Sequence, residues 1–227
     1  MMYPFDGSFI VLIPAILFAL YAQNRVKSTF ARFLKVAAQK GYTGREVARA
    51  ILDGKNLQNV PVEMAQGYLS DHYDPRSRVL RLSREVYQGT SVAAVSVAAH
   101  EVGHAIQHAN GYAPLSMRNA IFPIARFGSS MAWVFVIGGF IFDSLGMIDI
   151  GILLFTAAVA FQIITLPVEF NASSRAMQLL TEHGFLAADE VSSSRKVLNA
   201  AALTYVAAMA TAVAQLLRLI LLRNRRS

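Results

Sequence analysis

The amino-acid sequence predicts a mainly α-helical integral-membrane protein, with about four transmembrane helices and a polar α+β domain containing a small β-hairpin. Three observations carry that prediction. The chain is strongly apolar, with a mean hydropathy of +0.42 and 55% hydrophobic residues over 227 positions, which exceeds ordinary soluble composition. Its apolar residues gather into four separate stretches. One long block of soluble-protein character lies between the first two of them.

The stretches are residues 9–22, 127–142, 150–168 and 200–217, the last continuing past Arg218 to Leu222. A membrane span needs roughly 20 residues, so the third and fourth are long enough as they stand. The second reaches that length when residues 120–124 and a snorkelling Arg126 are counted. The first is short and contains Pro14. It reads as an uncleaved anchor, because no basic residue precedes it and no small-x-small site follows. The expected organisation is an anchor at 1–22, a catalytic-type polar domain at 23–119, a helical hairpin at 120–168, a polar segment at 169–199, and a last helix with a basic tail at 200–227.

Within the polar block, residues 25–40 have helical periodicity and stop at Gly41. Thr43-Gly44-Arg45-Glu46 has capping-box spacing and opens a short helix ending near Gly54. Residues 59–63 and 66–73 read as extended, Asp74-Pro75-Arg76-Ser77 as a turn, and Arg78-Val79-Leu80-Arg81-Leu82-Ser83 as a period-two strand, which together suggest a hairpin. Thr90 or Ser91 can then cap a helix that runs to about Asn110 and ends at Gly111.

The chemistry-bearing residues sit on that helix. His100 and His104 are four apart, so their imidazoles leave one face on successive turns and can reach one tetrahedral zinc. Glu101 is rotated by about 100° from His100, where its carboxylate can face a water at the metal without ligating the ion, as a general base would. There is no cysteine, so disulfides, thiolate nucleophiles and thiolate-ligated metal are all excluded. A third ligand must be His or carboxylate. His108 continues the four-residue spacing, but at about 1.5 Å per residue it is roughly 12 Å along the axis from His100, too far to share one ion. His72 and His183 have no spacing that recommends them. Glu169 closes the third apolar stretch beside Pro167, where an ionisable group is costly without a partner. That partner is either zinc or, for an ordinary interfacial glutamate, Arg175.

Four ordered motifs resemble the membrane-bound, YugP-like neutral zinc metallopeptidases. They are Asp71-His72-Tyr73-Asp74-Pro75, Leu80-Arg81-Leu82-Ser83, Ala98-Ala99-His100-Glu101-Val102-Gly103-His104-Ala105, and Leu166-Pro167-Val168-Glu169-Phe170-Asn171-Ala172-Ser173. The resemblance covers essentially the whole chain. It implies a zincin-like catalytic domain, one zinc ion per chain and peptide or protein substrates. A more distant likeness to gluzincin membrane peptidases of the HtpX and CAAX-prenyl types implies Glu169 as third ligand, since Glu169-Phe170-Asn171-Ala172 is similar to the start of their Glu-x-x-Ala-Asp motif. Ser173 stands where that Asp would be. The role of the Asp in supporting the ligands then falls to His108, Asn171 or Arg175, and oxyanion stabilisation to Arg175, His183, Tyr112 or His72. The same likeness implies that the strand Val79, Leu80, Arg81, Leu82 binds substrate by β-augmentation.

The expected activity is therefore hydrolysis of peptide bonds in membrane-associated or unfolded proteins. A zinc-binding membrane scaffold that regulates a partner shares the same ligands, and a small transporter would leave Glu101 without a task. The 21 Lys and Arg against 14 Asp and Glu lie beside apolar segments, which suits a lipid bilayer rather than nucleic acid. A membrane-protein partner or a second copy of the chain is compatible with this. Thirteen Lys and Arg fall between Gln23 and Asn119 and none between Asp143 and Asp149, so the positive-inside rule expects the site on the cytoplasmic side of the cell membrane.

Overall fold

The computed structural model describes residues 7–226. Residues 1–6, at the head of the expected anchor, and Ser227, at the end of the expected tail, lie outside the described residues. After a short 3₁₀ turn at Gly7–Val11 come α1 (Leu12–Phe33), α2 (Gly44–Gly54), β1 (Val62–Ala65), β2 (His72–Asp74), β3 (Val79–Ser83), α3 (Arg84–Tyr87), α4 (Val92–Ala109), α5 (Ala113–Ile141), α6 (Leu145–Glu182) and α7 (Val191–Asn224). Among the described residues, four helical stretches are long and apolar enough to cross a membrane: Gly7–Phe33, Ala113–Ile141, Leu145–Glu182 and Val191–Asn224.

The chain divides into two compact units. One comprises Met1–Gln23, Ser116–Pro167 and Thr204–Ser227. Its α5–α6 hairpin is drawn tight by small residues: a Cβ on Gly128 would stand 2.9 Å from the Leu154 carbonyl oxygen, and one on Gly151 would stand 2.8 Å from that of Ala132. Such close backbone approach is how apolar helices associate where water supplies no hydrophobic drive. Arg223 and Arg226 of the basic tail pair with Asp149 and Asp143. The tail and the α5–α6 connection therefore share one end of this unit.

The other unit comprises Asn24–Leu115 and Val168–Leu203. Its core joins Val47, Ile51 and Leu52 of α2, Leu80 and Leu82 of β3, the Val92–Ile106 side of α4, and Leu179, Leu180, Val197 and Leu198. Each such aliphatic side chain contributes about 1.5–3 kcal/mol when fully buried, which explains why α4 is buried almost throughout. Thr43 and Glu46 form the expected capping box on α2, and Ser91 caps α4 by accepting from the Ala94 N–H at 3.1 Å. Gly111, at φ +59°, ends α4 in the left-handed region.

Three expectations need correction. The helix expected over 25–40 ends at Phe33, because Ala38 N–H donates to the Thr90 carbonyl and Val92 N–H to that of Val36; pairing with the start of α4 takes the backbone that helical periodicity would have used. Pro167 does not end the third apolar helix, which runs on to Glu182 and takes residues 169–182 of the polar segment expected at 169–199. A proline forfeits one helical hydrogen bond and kinks a helix rather than ending it when both flanks remain good helix formers. The hairpin is real, with Tyr73 opposite Leu80 and Asp74 opposite Val79, but β1 adds in parallel on the far side of β3. The order β1-β3-β2 makes β3 the centre of the sheet.

Candidate metal centre

α4 carries His100, Glu101 and His104 on its buried side, and α6 crosses it at the level of Gly103. A Cβ there would lie 2.8 Å from the Ala172 carbonyl oxygen, so only glycine lets the helices come this close. The crossing brings the Glu169 Oε2 to 3.3 Å from His100 Nε2 and 3.4 Å from His104 Nε2. The three donor atoms lie within 4.8 Å of one another, and all three residues are buried.

This arrangement fits zinc. Two ligands at about 2.05 Å and a tetrahedral angle are roughly 3.3 Å apart, which is the separation between the carboxylate oxygen and each imidazole. Two imidazole nitrogens with one carboxylate oxygen also form a standard donor set for a catalytic zinc, leaving one position open.

Hydrogen bonds fix which nitrogens face inward. Gln107 Nε2 donates to the Val168 carbonyl at 2.8 Å and to Asn171 Oδ1 at 2.9 Å. Its Oε1 therefore accepts, at 3.0 Å, from His104 Nδ1, so neutral His104 presents a bare Nε2 to Glu169. Ser173 Oγ lies 3.1 Å from His100 Nδ1 and can serve His100 in the same way. Metal-ligating histidines commonly require this kind of support from their far nitrogen.

Glu101 is held from the sheet. Tyr73 N–H of β2 donates to Glu101 Oε2 at 3.1 Å. Burial is the largest influence on the Glu101 carboxyl and pushes it up to about 7, against the favourable charge of His100 and with repulsion from Glu169 and Asp71. Burial likewise raises Asp71, although the Ser83 N–H and hydroxyl donate to its carboxylate. A carboxyl near neutrality suits proton transfer in both directions.

The remaining sequence candidates fall as follows. His108 is not one of the three residues of the centre, and its Nδ1 lies 2.8 Å from the Tyr73 hydroxyl. Asn171 and Arg175 act at one remove: Arg175 Nε donates to Asn171 Oδ1 at 2.8 Å, and Asn171 in turn holds Gln107. Ser173 itself, in the position of the missing Asp, makes the contact to His100 that was assigned to others. His72 is exposed, with Nδ1 against the Ser70 carbonyl, His183 is exposed and packs on Phe185, and Tyr112 is half-buried at the end of α4. Leu80 and Arg81 are paired on both sides, whereas Val79 pairs with β2 alone and Leu82 with β1 alone. Leu80 and Arg81, in the middle of the sheet, therefore have no free edge for a substrate strand to join. Sequence reasoning missed Gln107, Ser173 and the backbone of Tyr73. Only Tyr73 and Ser173 lay within motifs it had singled out.

The profile of a family described as "Putative neutral zinc metallopeptidase" matches residues 8–224. The protein named "Putative membrane protease YugP" of Bacillus subtilis (strain 168) is 52% identical over 210 residues, which covers 92% of this chain and 93% of that protein. No solved structure matches the chain.

Proposed function

The chain belongs to the "Putative neutral zinc metallopeptidase" family, and on that premise we propose that it is a multi-pass membrane endopeptidase that uses one zinc ion to hydrolyse peptide bonds of membrane-associated or unfolded proteins. The observation that carries this reading is the convergence of His100 Nε2, His104 Nε2 and Glu169 Oε2, with the carboxylate of Glu101 on the next residue of the same helix. When bound, zinc supplies a Lewis acid that polarises a carbonyl and makes water a stronger acid.

The chain's own residues do the rest. His100, His104 and Glu169 hold the ion, while Ser173 and Gln107 keep the two imidazoles turned inward. Glu101, oriented by the Tyr73 N–H, takes a proton from the attacking water and passes it to the leaving amine nitrogen. No covalent intermediate is required. The excess of Lys and Arg in 23–119 over the uncharged-to-acidic 143–149 connection supports a cytoplasmic site, and the pairing of Arg223 and Arg226 with Asp149 and Asp143 supports four spans by neutralising arginines that would otherwise oppose that orientation.

The test is metal analysis of detergent-purified protein beside proteolysis of an unfolded casein. About one zinc per chain together with cleavage that stops on chelation is expected. Zinc without cleavage would replace the enzyme with a scaffold, and cleavage without metal would remove the mechanism.

A further inference from the structure

A pocket opens beside Tyr73, whose backbone N–H holds Glu101. It is a cavity of about 290 Å³ lined by Leu57, Asn59, Val60, Tyr73, Arg78, Ala105, His108 and Ala109. On α4, Ala105 and His108 follow Glu101 by four and seven residues, so they continue the helix face that Glu101 begins. His108, which lines the cavity, stands about 6 Å beyond His104 along the helix axis at 1.5 Å per residue. Tyr73 links the two places: its backbone holds Glu101 and its hydroxyl holds His108.

The polar side chains lining this cavity are Asn59, Tyr73, Arg78 and His108, each of which can donate a hydrogen bond. The His108–Tyr73 pair keeps one hydrogen to give whichever way its shared bond runs. If the tyrosine hydroxyl donates to Nδ1, the histidine Nε2–H is left over; if Nδ1–H donates to the phenolic oxygen, the hydroxyl hydrogen is left over. Arg78 brings a fixed positive charge, close enough to act on the Tyr73 hydroxyl. It makes no ion pair among the described residues, whereas the nearby Arg81 pairs with Glu63 and Asp74. Asp74 is further engaged by Ser77 and the Arg76 N–H, and no carboxylate lines the cavity. Arg78 also holds φ +54° immediately before β3, a backbone state that a residue other than glycine adopts at a cost.

We propose that this cavity is a substrate subsite that accepts a carboxylate, through Arg78 and the His108–Tyr73 pair. The inference rests on the peptidase reading and adds to it a substrate class: peptides with an acidic side chain, or a chain-terminal carboxylate, one to three residues from the scissile bond. That range follows from the 6 Å offset and the roughly 3.3 Å advance per residue of an extended substrate. Arg is suited to the task because its planar fork matches a carboxylate bidentately.

Full-length Glu101→Gln protein in detergent, with zinc, would be titrated against fluorescein-labelled octapeptides carrying a single Glu scanned through each position, with Gln twins and C-terminally amidated versions. Binding is read by anisotropy. At one position the Glu peptide should bind about tenfold or more tighter than its Gln twin, as expected for a hydrogen-bonded charge, or the free-acid terminus should do so over the amide; the two arms tell side chain from chain end. Arg78→Gln should erase the difference. Arg78→Glu should turn it into a preference for a Lys twin, a gain that misfolding cannot produce. Equal binding of all twins, binding of none, or a preference that survives Arg78→Gln would overturn the subsite. Wild-type protein that binds the preferred peptide but leaves it intact by mass spectrometry would count against the peptidase reading and leave the subsite standing.

Discussion

Replacing Gly103 by alanine tests whether the approach of α4 to α6 sets the spacing of the metal-binding groups. The new Cβ would meet the Ala172 carbonyl oxygen at 2.8 Å, its Cα at 3.2 Å and its carbonyl carbon at 3.3 Å. Ordinary contact begins at 3.4 Å, so the oxygen must retreat from 2.8 Å by about 0.6 Å. It belongs to backbone and cannot swing aside, so α6 has to move as a segment. That segment carries Glu169 three residues before Ala172 and Ser173 one residue after it. Zinc ligands tolerate displacements of about 0.2 Å, a third of what the methyl group demands. Overpacking of this kind costs about 1–3 kcal/mol; at 1.4 kcal/mol per decade, zinc affinity should fall by about 5- to 140-fold if the whole cost falls on the bound state. Competition with a chelator of known affinity reads that change directly. Gly146→Ala, where the nearest atom to a new Cβ is a serine hydroxyl at 4.0 Å, should leave affinity unaltered. A Gly103→Ala protein with wild-type zinc affinity and unchanged thermal unfolding would refute the claim that this contact spaces the ligands.

Three further outcomes are expected. Glu101→Gln should keep zinc at wild-type stoichiometry and lose about 10²–10⁴ in turnover, the usual worth of a general base; side-by-side metal analysis and peptide cleavage decide it, and retained cleavage would sink the assigned role. Glu169→Ala should lose zinc while His108→Ala keeps it, as read by bound metal after gel filtration, and the reverse result would mean that the ligand set is wrong. Gln107→Leu and Ser173→Ala should each weaken zinc binding by about 10- to 100-fold, as loss of a ligand's hydrogen-bond partner generally does, with unchanged affinity in both showing that the imidazoles need no orientation.

What the sequence made legible was local. The four-residue spacing of His100 and His104, the Ser91 cap and the capping box at Thr43 are each decided within one or two helical turns, and the structure reproduces those turns. Glu169 was legible in a different way: position alone left it between metal and Arg175, and only the likeness of Glu169-Phe170-Asn171-Ala172 to a known motif separated the two. What stayed hidden depended on partners far along the chain. The β-augmentation expected of β3 needs a free edge, and the local pattern shows only its antiparallel partner seven residues away in register (Tyr73 to Leu80), whereas its parallel partner Val62 lies across an intervening strand. Nothing in the alternation of Val79 to Ser83 distinguishes one pairing from two, although its burial on both faces is what a central strand shows. Gln107 and Ser173 have ordinary helical settings: Ser173 meets its histidine 73 residues away, and Gln107, though three residues from His104, is oriented by the Val168 carbonyl 61 residues away.

Those two residues explain why the centre can dispense with the Asp of the related motif. An imidazole ligand needs an acceptor at its far nitrogen, and a carboxylate is the strongest one available, but it adds a negative charge to a buried site. Here both acceptors are neutral: the Ser173 hydroxyl and the Gln107 amide. With two neutral imidazoles and one carboxylate, a divalent ion in the centre would keep a net charge of about +1 from its ligands, which neutral acceptors do not reduce further, and a more positive centre polarises a carbonyl more strongly. The neutral acceptors are weaker individually, so their geometry has to be enforced from elsewhere. Gln107 gains it by donating to both the Val168 carbonyl and Asn171 on α6, with Arg175 fixing Asn171 in turn, and Ser173 gains it from the glycine-permitted crossing one residue earlier. A slip of α6 by one residue would rotate Glu169, Asn171 and Ser173 by about 100° together, losing the ligand and both supports at once. The centre therefore exists only in one register of α4 against α6, and the methyl-free surface of Gly103 selects that register.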